Sequence, residues 1–276
     1  MLKNRLIVCL LLKNGSIVQS KDFKWHQRLG NPTTIVERLS NWTCDELIYL
    51  DISPEDNHDL NRDDLKGPNR NSFEDIIQDV SKSCFMPLTV GGRIKNLQDI
   101  HEKIKIGADK VSINTEAFNN PKLITEGAKE FGSQCIVVSI DTKLSDGKYF
   151  VHTNRGKTAT NKSPIEWAKE AEDSGAGEIL INSIDRDGKA NGYDIDLISN
   201  IVESVTIPVI ACGGVGSWEH FEEGLRKAKP SAVAASNIFH YTENSVFNSK
   251  KFLYDSGLNV REPSLSFQDK AKEVFG

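Results

Sequence analysis

The sequence predicts one domain of the α/β class, a (β/α)8 TIM barrel, and three observations support this prediction. Eight short apolar segments alternate with longer amphipathic segments along the 276 residues, whereas a doubly wound sheet would show about six strands. The two halves of the chain repeat each other, and the length suits the roughly 250 residues typical of such a barrel. We therefore expect residues 1–261 to form the barrel and residues 262–276 to form a C-terminal tail.

The first predicted strand indicates the type of sheet. Residues Leu6–Leu12 form an apolar run in which polar and apolar side chains do not alternate. A strand that is buried on both faces, as in a parallel sheet, has no polar side. The eight predicted strands are Leu6–Leu12, Glu46–Ile52, Met86–Val90, Lys110–Ile113, Cys135–Ile140, Glu178–Asn182, Ile207–Ala211 and Ala232–Ala235.

Amphipathic segments between these strands predict helices. Several of them begin at Asn, Ser or Pro, which are residue types that commonly start a helix. The predicted helices are Ser72–Ser83, Leu97–Ile106, Pro121–Phe131, Pro164–Ser174, Ile195–Val205 and Trp218–Ala228.

An internal repeat divides the predicted barrel into two halves. The matching segments are 45–48 with 177–180, which are 132 residues apart, and 90–92 with 212–214 and 110–114 with 232–236, which are 122 residues apart. The polar segment 54–71 has no hydrophobic period and accounts for the ten surplus residues of the first half. This insertion would overhang the active-site face, either as a solvated surface loop or as a lid or partner contact.

Composition and charge argue against several classes of function. A formal net charge of −5 and a sequence pI near 5.8, with Lys and Arg dispersed along the chain, argue against binding to nucleic acid or to an anionic membrane. No segment approaches the roughly 20 consecutive apolar residues of a membrane span, and no small-residue cleavage site follows the apolar N-terminus. We expect a cytoplasmic protein whose partners are small molecules or another protein.

Cysteine and histidine usage predicts neither disulfides nor a metal centre. The cysteines are odd in number, widely separated and without metal-ligand spacing, which indicates reduced core residues, and the histidines show no ligand spacing either. The cysteines are Cys9, Cys44, Cys84, Cys135 and Cys212, and the histidines are His26, His58, His101, His152, His220 and His240. We therefore expect no metal and no cofactor.

Two glycine pairs predict binding sites for anions. Gly91-Gly92 follows the third predicted strand and Gly213-Gly214 follows the seventh, at matching positions in the two halves. Each half adds polar residues after the next strand, Asn114-Thr115 and Ser236-Asn237. Backbone N–H groups at glycine turns bind phosphate together with hydroxyl groups and a helix N-terminus, and the loops after strands 7 and 8 are a recurrent phosphate position in barrels. Two such sites fit a molecule that is phosphorylated at both ends.

Eight motifs along the chain resemble one enzyme family. From Arg5 to about Arg261 the sequence is similar to the cyclase subunit of imidazole glycerol phosphate synthase, a barrel of histidine biosynthesis. The motifs are DELIYLDI (45–52), PLTVGGRI (87–94), GADKVSIN (107–114), FGSQCIVVSIDTK (131–143), EWAKEAEDSGAGEIL (166–180), DRDGKANGYD (185–194), PVIACGGVG (208–216) and AASNIFH (234–240).

The resemblance implies a function and a partner. In that family the barrel forms a heterodimer with a glutaminase subunit and receives ammonia from it. The ammonia closes an imidazole ring on a ribulosyl phosphate intermediate, which releases imidazole glycerol phosphate and an aminoimidazole carboxamide ribotide. The substrate is phosphorylated at both ends, in agreement with the two glycine pairs.

The resemblance also implies a catalytic acid and base, of which one is missing. The family has two aspartates at the ends of the first and fifth strands. Asp141 occupies the second position, whereas Leu11 occupies the first. Ring closure needs one group that takes a proton and another that gives one, and leucine can do neither. We expect Asp141 to be catalytic and the family reaction to be impaired.

The substrate-phosphate residues implied by the resemblance include two departures. Arg93 stands where the family has the third glycine of the first turn, and Gln19 stands where it has a lysine. Arg93 can still bind an anion through its side chain. The predicted phosphate-binding residues are Gly92, Arg93, Asn114, Thr115, Asp187, Gly188, Gly213, Gly214, Ala235 and Ser236. Asp51, Asp185 and Asp187 lie at or just after the carboxyl ends of strands, where aspartate either binds a ligand or forms turns and helix caps.

The amino-terminal ends of the strands carry a second implied site. In the family a ring of four charges guards an ammonia passage at this face. The corresponding residues here are Arg5, Glu46, Lys110 and Glu178. The two positive and two negative groups neutralise one another; they form either an ammonia gate or a salt-bridge cluster that only stabilises the barrel. Asp109 matches the family at the face where the glutaminase docks.

Three functional hypotheses stay open, and all of them include a glutaminase partner. The first is the family reaction with another group in place of the missing aspartate. The second, which the chemistry favours slightly, is amidation of a surface-polysaccharide sugar, a role of some relatives in the family. The third is a non-catalytic barrel that binds and activates a glutaminase.

Overall fold

The computed structural model of the chain describes residues 3–32, 35–36, 39, 44–54, 72–240 and 246–263. Almost all of the predicted insertion at 54–71 and of the predicted tail at 262–276 lies outside the described residues. Across the described ranges, no helix combines the length and the apolar character that crossing a membrane requires.

The strands within these ranges form one sheet. They are β1 (Arg5–Lys13), β2 (Ser16–Lys21), β3 (Trp25–Gly30), β4 (Glu46–Asp51), β5 (Leu88–Gly91), β6 (Lys110–Ile113), β7 (Ile136–Ser145), β8 (Lys148–Thr153), β9 (Thr158–Ala159), β10 (Glu178–Ser183), β11 (Val209–Cys212) and β12 (Ala232–Ala235). Eight of them pair in parallel in the order β1-β4-β5-β6-β7-β10-β11-β12. Because β12 also pairs with β1, the sheet closes, and the predicted (β/α)8 barrel is confirmed.

Helices alternate with the barrel strands. The helices with described bounds are α1 (Phe73–Ser83), α2 (Leu97–Lys105), α3 (Thr115–Asn119), α4 (Lys122–Phe131), α5 (Pro164–Asp173), α6 (Ile195–Ser204), α7 (Trp218–Glu223) and α8 (Val246–Asp255). Ser72, Asn96 and Ser163 cap α1, α2 and α5 through their side-chain oxygens. The last predicted helix is α-helical only to Glu223 and continues as a wider π-type turn over Gly224–Ala228.

The side chains of β1 explain why its sequence does not alternate. Leu6, Val8 and Leu10 belong to the large core cluster between the sheet and the helices. Ile7 and Cys9 belong to a separate cluster, and all five side chains are buried. Successive side chains of a strand point to opposite faces, so both faces of β1 are apolar.

The separate cluster fills the interior of the barrel. Its buried members are Ile7, Cys9, Ile48, Val137, Leu180, Ile210, Cys212, Ala232 and Ala234, with Leu11 and Leu50 packed against them. These side chains come from six of the eight barrel strands and are all apolar or thiol-bearing. The lumen between the two ends of the barrel is therefore mainly apolar, and the buried residues Thr89 of β5 and Ser112 of β6 add hydroxyl groups to it.

Two β-hairpins extend the sheet at the carboxyl ends of β1 and β7. β2 and β3 continue β1 as antiparallel strands, and β8 and β9 continue β7 in the same way. The sequence does not predict them, because these short segments mix polar and apolar residues without a clear period. Since β1 and β7 are the first and fifth strands of the barrel, the hairpins occur at matching positions in the two halves.

A buried ion pair attaches α8 to the amino-terminal end of the barrel. Lys250 Nζ lies 2.6 Å from Asp45 Oδ1, and both side chains are almost fully buried. Asp45 Oδ2 also accepts a hydrogen bond from Leu6 N at 3.0 Å. The Asp45 carboxylate therefore joins α8 to β1, and the isolated bridge between Asn4 and Val260 adds a second contact.

Replacement of Lys250 tests this attachment. Lys250→Met leaves the Asp45 carboxylate buried without its nearest cation, and removal of one partner of a buried ion pair costs about 3–5 kcal/mol. We expect chemical denaturation to show a loss of that order in the free energy of unfolding. The matched control is Lys251→Met, because the exposed pair of Lys251 with Asp255 contributes less than about 1 kcal/mol. Equal losses in the two variants would contradict the assignment.

Candidate active site

A cavity of about 1500 Å³ opens at the carboxyl ends of the barrel strands. Barrel strands, the loops that follow them and both hairpins contribute to its lining. Cys9 and Leu180 lie in the lining as well as in the apolar interior, so the cavity reaches the top of the lumen. Substrates of (β/α)8 enzymes bind at this face, which makes the cavity the candidate active site.

Asp141 lies on β7 within the cavity and is buried. Asn114 Nδ2 donates hydrogen bonds to Asp141 Oδ2 and to the Ser139 carbonyl oxygen, both at 3.1 Å. Burial raises the pKa of Asp141 to about 7, while the hydrogen bond from Asn114 opposes the shift and the charge of Asp187 adds to it. Both protonation states are therefore populated near neutral pH, which suits a group that takes up and returns a proton.

Leu11 lies across the barrel from Asp141. Its strand, β1, is four strands away from β7 in either direction around the ring of eight. Leu11 is in register with Leu50 of β4, and both side chains line the cavity against the apolar interior. Because neither leucine can exchange a proton, this side of the cavity floor is an apolar wall.

Asp187 and Gly188 contact the first hairpin. Asp187 Oδ2 accepts hydrogen bonds from Ser20 Oγ at 2.7 Å and from Phe23 N at 3.0 Å. Burial raises the pKa of Asp187, and these two hydrogen bonds oppose the shift. A Cβ at Gly188 would overlap the Ser20 carbonyl oxygen, to which Asn237 Nδ2 donates at 2.7 Å. The hairpin therefore covers this predicted phosphate-binding pair.

The turn after β11 has the geometry expected of an anion site. Gly213 and Gly214 have φ angles of +96° and +98°, which glycine adopts readily. A Cβ at Gly214 would overlap the Gly192 carbonyl oxygen. Ser236 after β12 has a buried hydroxyl oxygen with no hydrogen-bond partner within the described part of the chain. The turn lines the cavity together with Ala235 and Ser236.

The corresponding turn after β5 is built differently. Gly92 has a φ angle of +99°, and Arg93 follows at +61°, a left-handed conformation that costs a non-glycine residue about 1 kcal/mol. Arg93 Nε donates to Asp51 Oδ2 at 2.5 Å. Asp51 is buried and also accepts hydrogen bonds from Ser53 N at 2.9 Å and from Ser53 Oγ at 2.5 Å. The guanidinium predicted to bind phosphate is therefore engaged by a buried carboxylate.

The second hairpin lies over the opposite rim of the cavity. Asn154 N donates a hydrogen bond to Thr115 Oγ1 at 2.9 Å, and Arg155 Nη1 donates to a backbone carbonyl oxygen after β4 at 2.7 Å. Gly156 lies against Phe23 of the first hairpin, so that a Cβ at Gly156 would be 2.9 Å from the ring. The two hairpins therefore meet above the cavity.

Two other polar residues singled out in the sequence have local partners. Asp185 Oδ2 accepts a hydrogen bond from Leu144 N at 2.6 Å. Gln19 Nε2 donates to Gln27 Oε1 at 2.7 Å within the first hairpin. Asp185 thus supports the extension of β7, and Gln19 links β2 to β3.

The other end of the lumen is closed by the four charged residues predicted there, which we call the charge ring: Arg5, Glu46, Lys110 and Glu178. Lys110 Nζ lies 3.1 Å from Glu46 and 3.0 Å from Glu178. Arg5 contacts the same two carboxylates. Burial lowers the pKa of Arg5, but Glu178 and Glu46 more than offset this effect and leave it raised. Since each cation contacts both anions, the ring neutralises its own charge.

The remaining predictions concern metal binding and the state of the cysteine thiols. In the ranges that the structure covers, no group of three or more His, Cys, Asp or Glu side chains is placed to hold a metal ion. His152 Nδ1 lies 3.1 Å from the Gly156 carbonyl oxygen, a local contact, and His58 lies outside the described residues. The five cysteines are free. At the amino-terminal face, Asp109 Oδ2 accepts a hydrogen bond from Leu88 N at 2.8 Å.

Three residues that line the cavity are not among the site residues predicted from the sequence. Ser20 and Arg155 belong to the hairpins, whose position no sequence pattern indicates. Asn182 lies on β10 in register with Asp141 and also lines the cavity. Asn182 lies two residues after Leu180, whose side chain points into the barrel. Because successive side chains of a strand alternate between its two faces, this spacing predicts that Asn182 points inward as well.

Comparison with known proteins places the chain in a family. Residues 5–245 match the family model described as "Histidine biosynthesis protein". "Imidazole glycerol phosphate synthase subunit HisF" of Geobacillus kaustophilus (strain HTA426) is 43% identical over 263 residues, and that of Geobacillus thermodenitrificans (strain NG80-2) is 42% identical over 263 residues. The subunit of the same name from Bacillus cereus (strain G9842) is 42% identical over 262 residues. Each alignment covers 95% of this chain and 100% of the relative. The chain therefore belongs to the histidine biosynthesis protein family.

Proposed function

We propose that this chain is the cyclase-like synthase subunit of a glutamine amidotransferase, which accepts ammonia from a glutaminase subunit and adds it to a phosphorylated sugar-type substrate. One arrangement carries the proposal: the lumen has the charge ring at one end and Asp141, with a pKa of about 7, at the other. The relatives named as imidazole glycerol phosphate synthase subunits support it.

The lumen suits neutral ammonia. Moving an ion into an apolar environment costs far more than moving a neutral molecule of the same size, so the apolar cluster between the two ends favours ammonia over ammonium. The charge ring separates this zone from the amino-terminal face. Ammonia released by a glutaminase docked there would pass once an ion pair of the ring opens.

The cavity supplies the chemistry at the other end. When ammonia attacks an electrophilic carbon, the nitrogen must lose a proton, and the Asp141 carboxylate can take it. The same carboxyl group can then return the proton to an oxygen of the substrate. The turns at Gly92-Arg93 and Gly213-Gly214 lie at the cavity, where they would hold the two phosphorylated ends.

The acceptor depends on Leu11. Formation of imidazole glycerol phosphate and aminoimidazole carboxamide ribotide requires an acid and a base, and the wall of Leu11 and Leu50 offers neither. Addition of ammonia at a single carbon needs only Asp141, which slightly favours amidation of a surface-glycan sugar. The same leucine wall also supports the alternative, a non-catalytic barrel that binds and activates a glutaminase.

The first prediction concerns the partner. We expect the chain to form a one-to-one complex with a glutaminase of the same organism and to raise its glutamine turnover, measured by light scattering and by glutamate release. Phe85 precedes β5 at the amino-terminal face and is 89% exposed. Because exposed aromatic side chains often dominate interface energetics, Phe85→Glu should weaken the complex by roughly tenfold or more.

The matched control for the partner experiment is an aromatic residue at the other end of the barrel. Trp25 lines the cavity and is 75% exposed, and Trp25→Glu should leave complex formation unchanged. Absence of a complex with every glutaminase that the organism encodes would rule out the proposed function together with its scaffold alternative.

The second prediction concerns the missing acid or base. Ammonia-dependent conversion of the family substrate should be slower than in the relatives by a factor on the order of 10² to 10⁴, the usual contribution of one positioned acid or base. Leu11→Asp should recover part of this loss. Leu50→Asp is the matched control, because Leu50 is in register with Leu11 but belongs to the neighbouring strand. Fast wild-type conversion with no gain from Leu11→Asp would show that another residue supplies the function.

The third prediction concerns Asp141. Asp141→Asn should lower nitrogen transfer by a factor on the order of 10² to 10⁴ and leave glutaminase binding intact. Asp185→Asn is the control, because the Asp185 carboxylate accepts a hydrogen bond from Leu144 N and serves a structural contact. A fully active Asp141→Asn variant in a complementation assay would favour the scaffold alternative.

The same variant should change the pH dependence of stability. The folded-state pKa of Asp141, about 7, lies above the ordinary value of 3.8, so the folded protein binds this proton more tightly than the unfolded chain. The wild type therefore loses stability as the pH rises from about 4 to about 7, and the loss persists above that range. Asp141→Asn should be more stable than the wild type by about 1–3 kcal/mol at pH 8, and denaturation at a series of pH values measures the difference.

A further inference from the structure

The side-chain amide of Asn182 has no hydrogen-bond partner within the described residues. Its Oδ1 is buried and unpartnered, although buried polar atoms in native proteins are nearly always hydrogen-bonded. Oδ1 packs against Gly213, where a Cβ would lie 2.8 Å from it. Because this end of the amide is enclosed and the residue lines the cavity, the end that opens to the cavity is Nδ2.

The carboxyl group of Asp141, the strand neighbour of Asn182, favours the same orientation. Asp141 and Asp187 place two carboxyl groups at this end of the barrel. An amide that turned its oxygen towards them would be repelled, whereas its N–H groups are attracted. Asn182 therefore presents hydrogen-bond donors beside the group that exchanges protons.

The register fixes the spacing of these two groups. Asn182 on β10 is the direct neighbour of Asp141 on β7, and adjacent strands lie about 4.8 Å apart. Both side chains line the cavity, just above Leu180 of the apolar interior. A substrate carbonyl group that lies above this pair, at the point where the lumen opens, is within reach of both side chains.

We infer that Asn182 Nδ2 donates a hydrogen bond to the carbonyl oxygen of the acceptor, at the carbon that ammonia attacks. The inference rests on the proposed function and deepens it, because it names a residue that positions the acceptor carbonyl group for the attack of ammonia. The hydrogen bond from Asn182 would also polarise the carbonyl group, which the apolar side chains of Leu11 and Leu50 cannot do.

The step balances with the groups present. The lone pair of ammonia forms the C–N bond, and the π pair of the carbonyl group moves to its oxygen. The N–H group of Asn182 stabilises the resulting oxyanion, because a hydrogen-bond donor directed at a developing negative charge lowers its energy. A proton from the nitrogen passes to the Asp141 carboxylate and then to the oxygen, which gives a neutral carbinolamine.

Ribulose bisphosphate labelled with carbon-13 at its carbonyl group is the probe. Calorimetry measures its binding, and infrared difference spectroscopy measures its carbonyl stretch. The spectra are recorded at pH 8.5, which is above the pKa of Asp141 of about 7, so that Asp141 is not the donor. We expect the stretch to move to lower frequency when the wild type binds the probe. Asn182→Leu should abolish this shift and raise the Kd roughly tenfold, as expected for one hydrogen bond.

Three controls accompany the measurement. Asn119→Ala alters an exposed amide that also lines the cavity and should keep the shift, as should Asp141→Asn. Asn182→Ala provides a second removal of the amide. Thermal unfolding of Asn182→Leu should show no loss of stability, because no described residue depends on the amide, whereas a structural role would predict a loss.

The outcomes separate this inference from the proposed function. Binding without a shift in the wild type, or an equal shift in Asn182→Leu, overturns the role of Asn182 and leaves the proposed function standing. Absence of binding to the wild type overturns the two-phosphate acceptor class of the proposed function, and the role of Asn182 with it.

Discussion

In a closed ring of parallel strands, each side chain points either into the lumen or out towards the helices, and this constraint determines the chemistry of each level of the barrel. Along β10, the inward positions are Glu178, Leu180 and Asn182 in succession. The lumen is therefore charged at its amino-terminal end, mainly apolar in its middle and polar where it opens. A neutral nucleophile can cross such a gradient, because the charged groups lie only at its two ends.

The same constraint explains which parts of the fold the sequence predicts. Strands such as β1 are buried on both faces, and their apolar runs are visible without any tertiary information. The hairpins have no such apolar run. Helix α8 depends on the burial of Lys250, although lysine is normally exposed. Lys250 is buried because it pairs with Asp45, which is 205 positions away in sequence but close in space. Pairing between distant residues leaves no local period, so the sequence alone does not indicate these elements.

The candidate site divides in a similar way. Motifs and the family resemblance indicate Asp141 and the glycine turns, but the raised pKa of Asp141 arises from burial by several strands at once. Asp51 ends β4 whereas Arg93 follows β5, and only the structure shows that they form an ion pair. Asn182 lies between two of the motifs that carry the family resemblance and belongs to neither. In each case the property depends on an environment formed by several chain segments, which the residue types alone do not reveal.

The two halves of the barrel therefore contribute unequally to the site. In the first half, Leu11 and Leu50 form an apolar wall, and Arg93, with a φ angle of +61°, forms an ion pair with Asp51. In the second half, Asp141 has a pKa near neutrality, and the buried hydroxyl group of Ser236 has no hydrogen-bond partner among the described residues. Buried polar atoms without partners are costly unless a ligand satisfies them. The reacting carbon of an acceptor is thus best held by β7, β10 and β12, while the first half shapes the opposite wall.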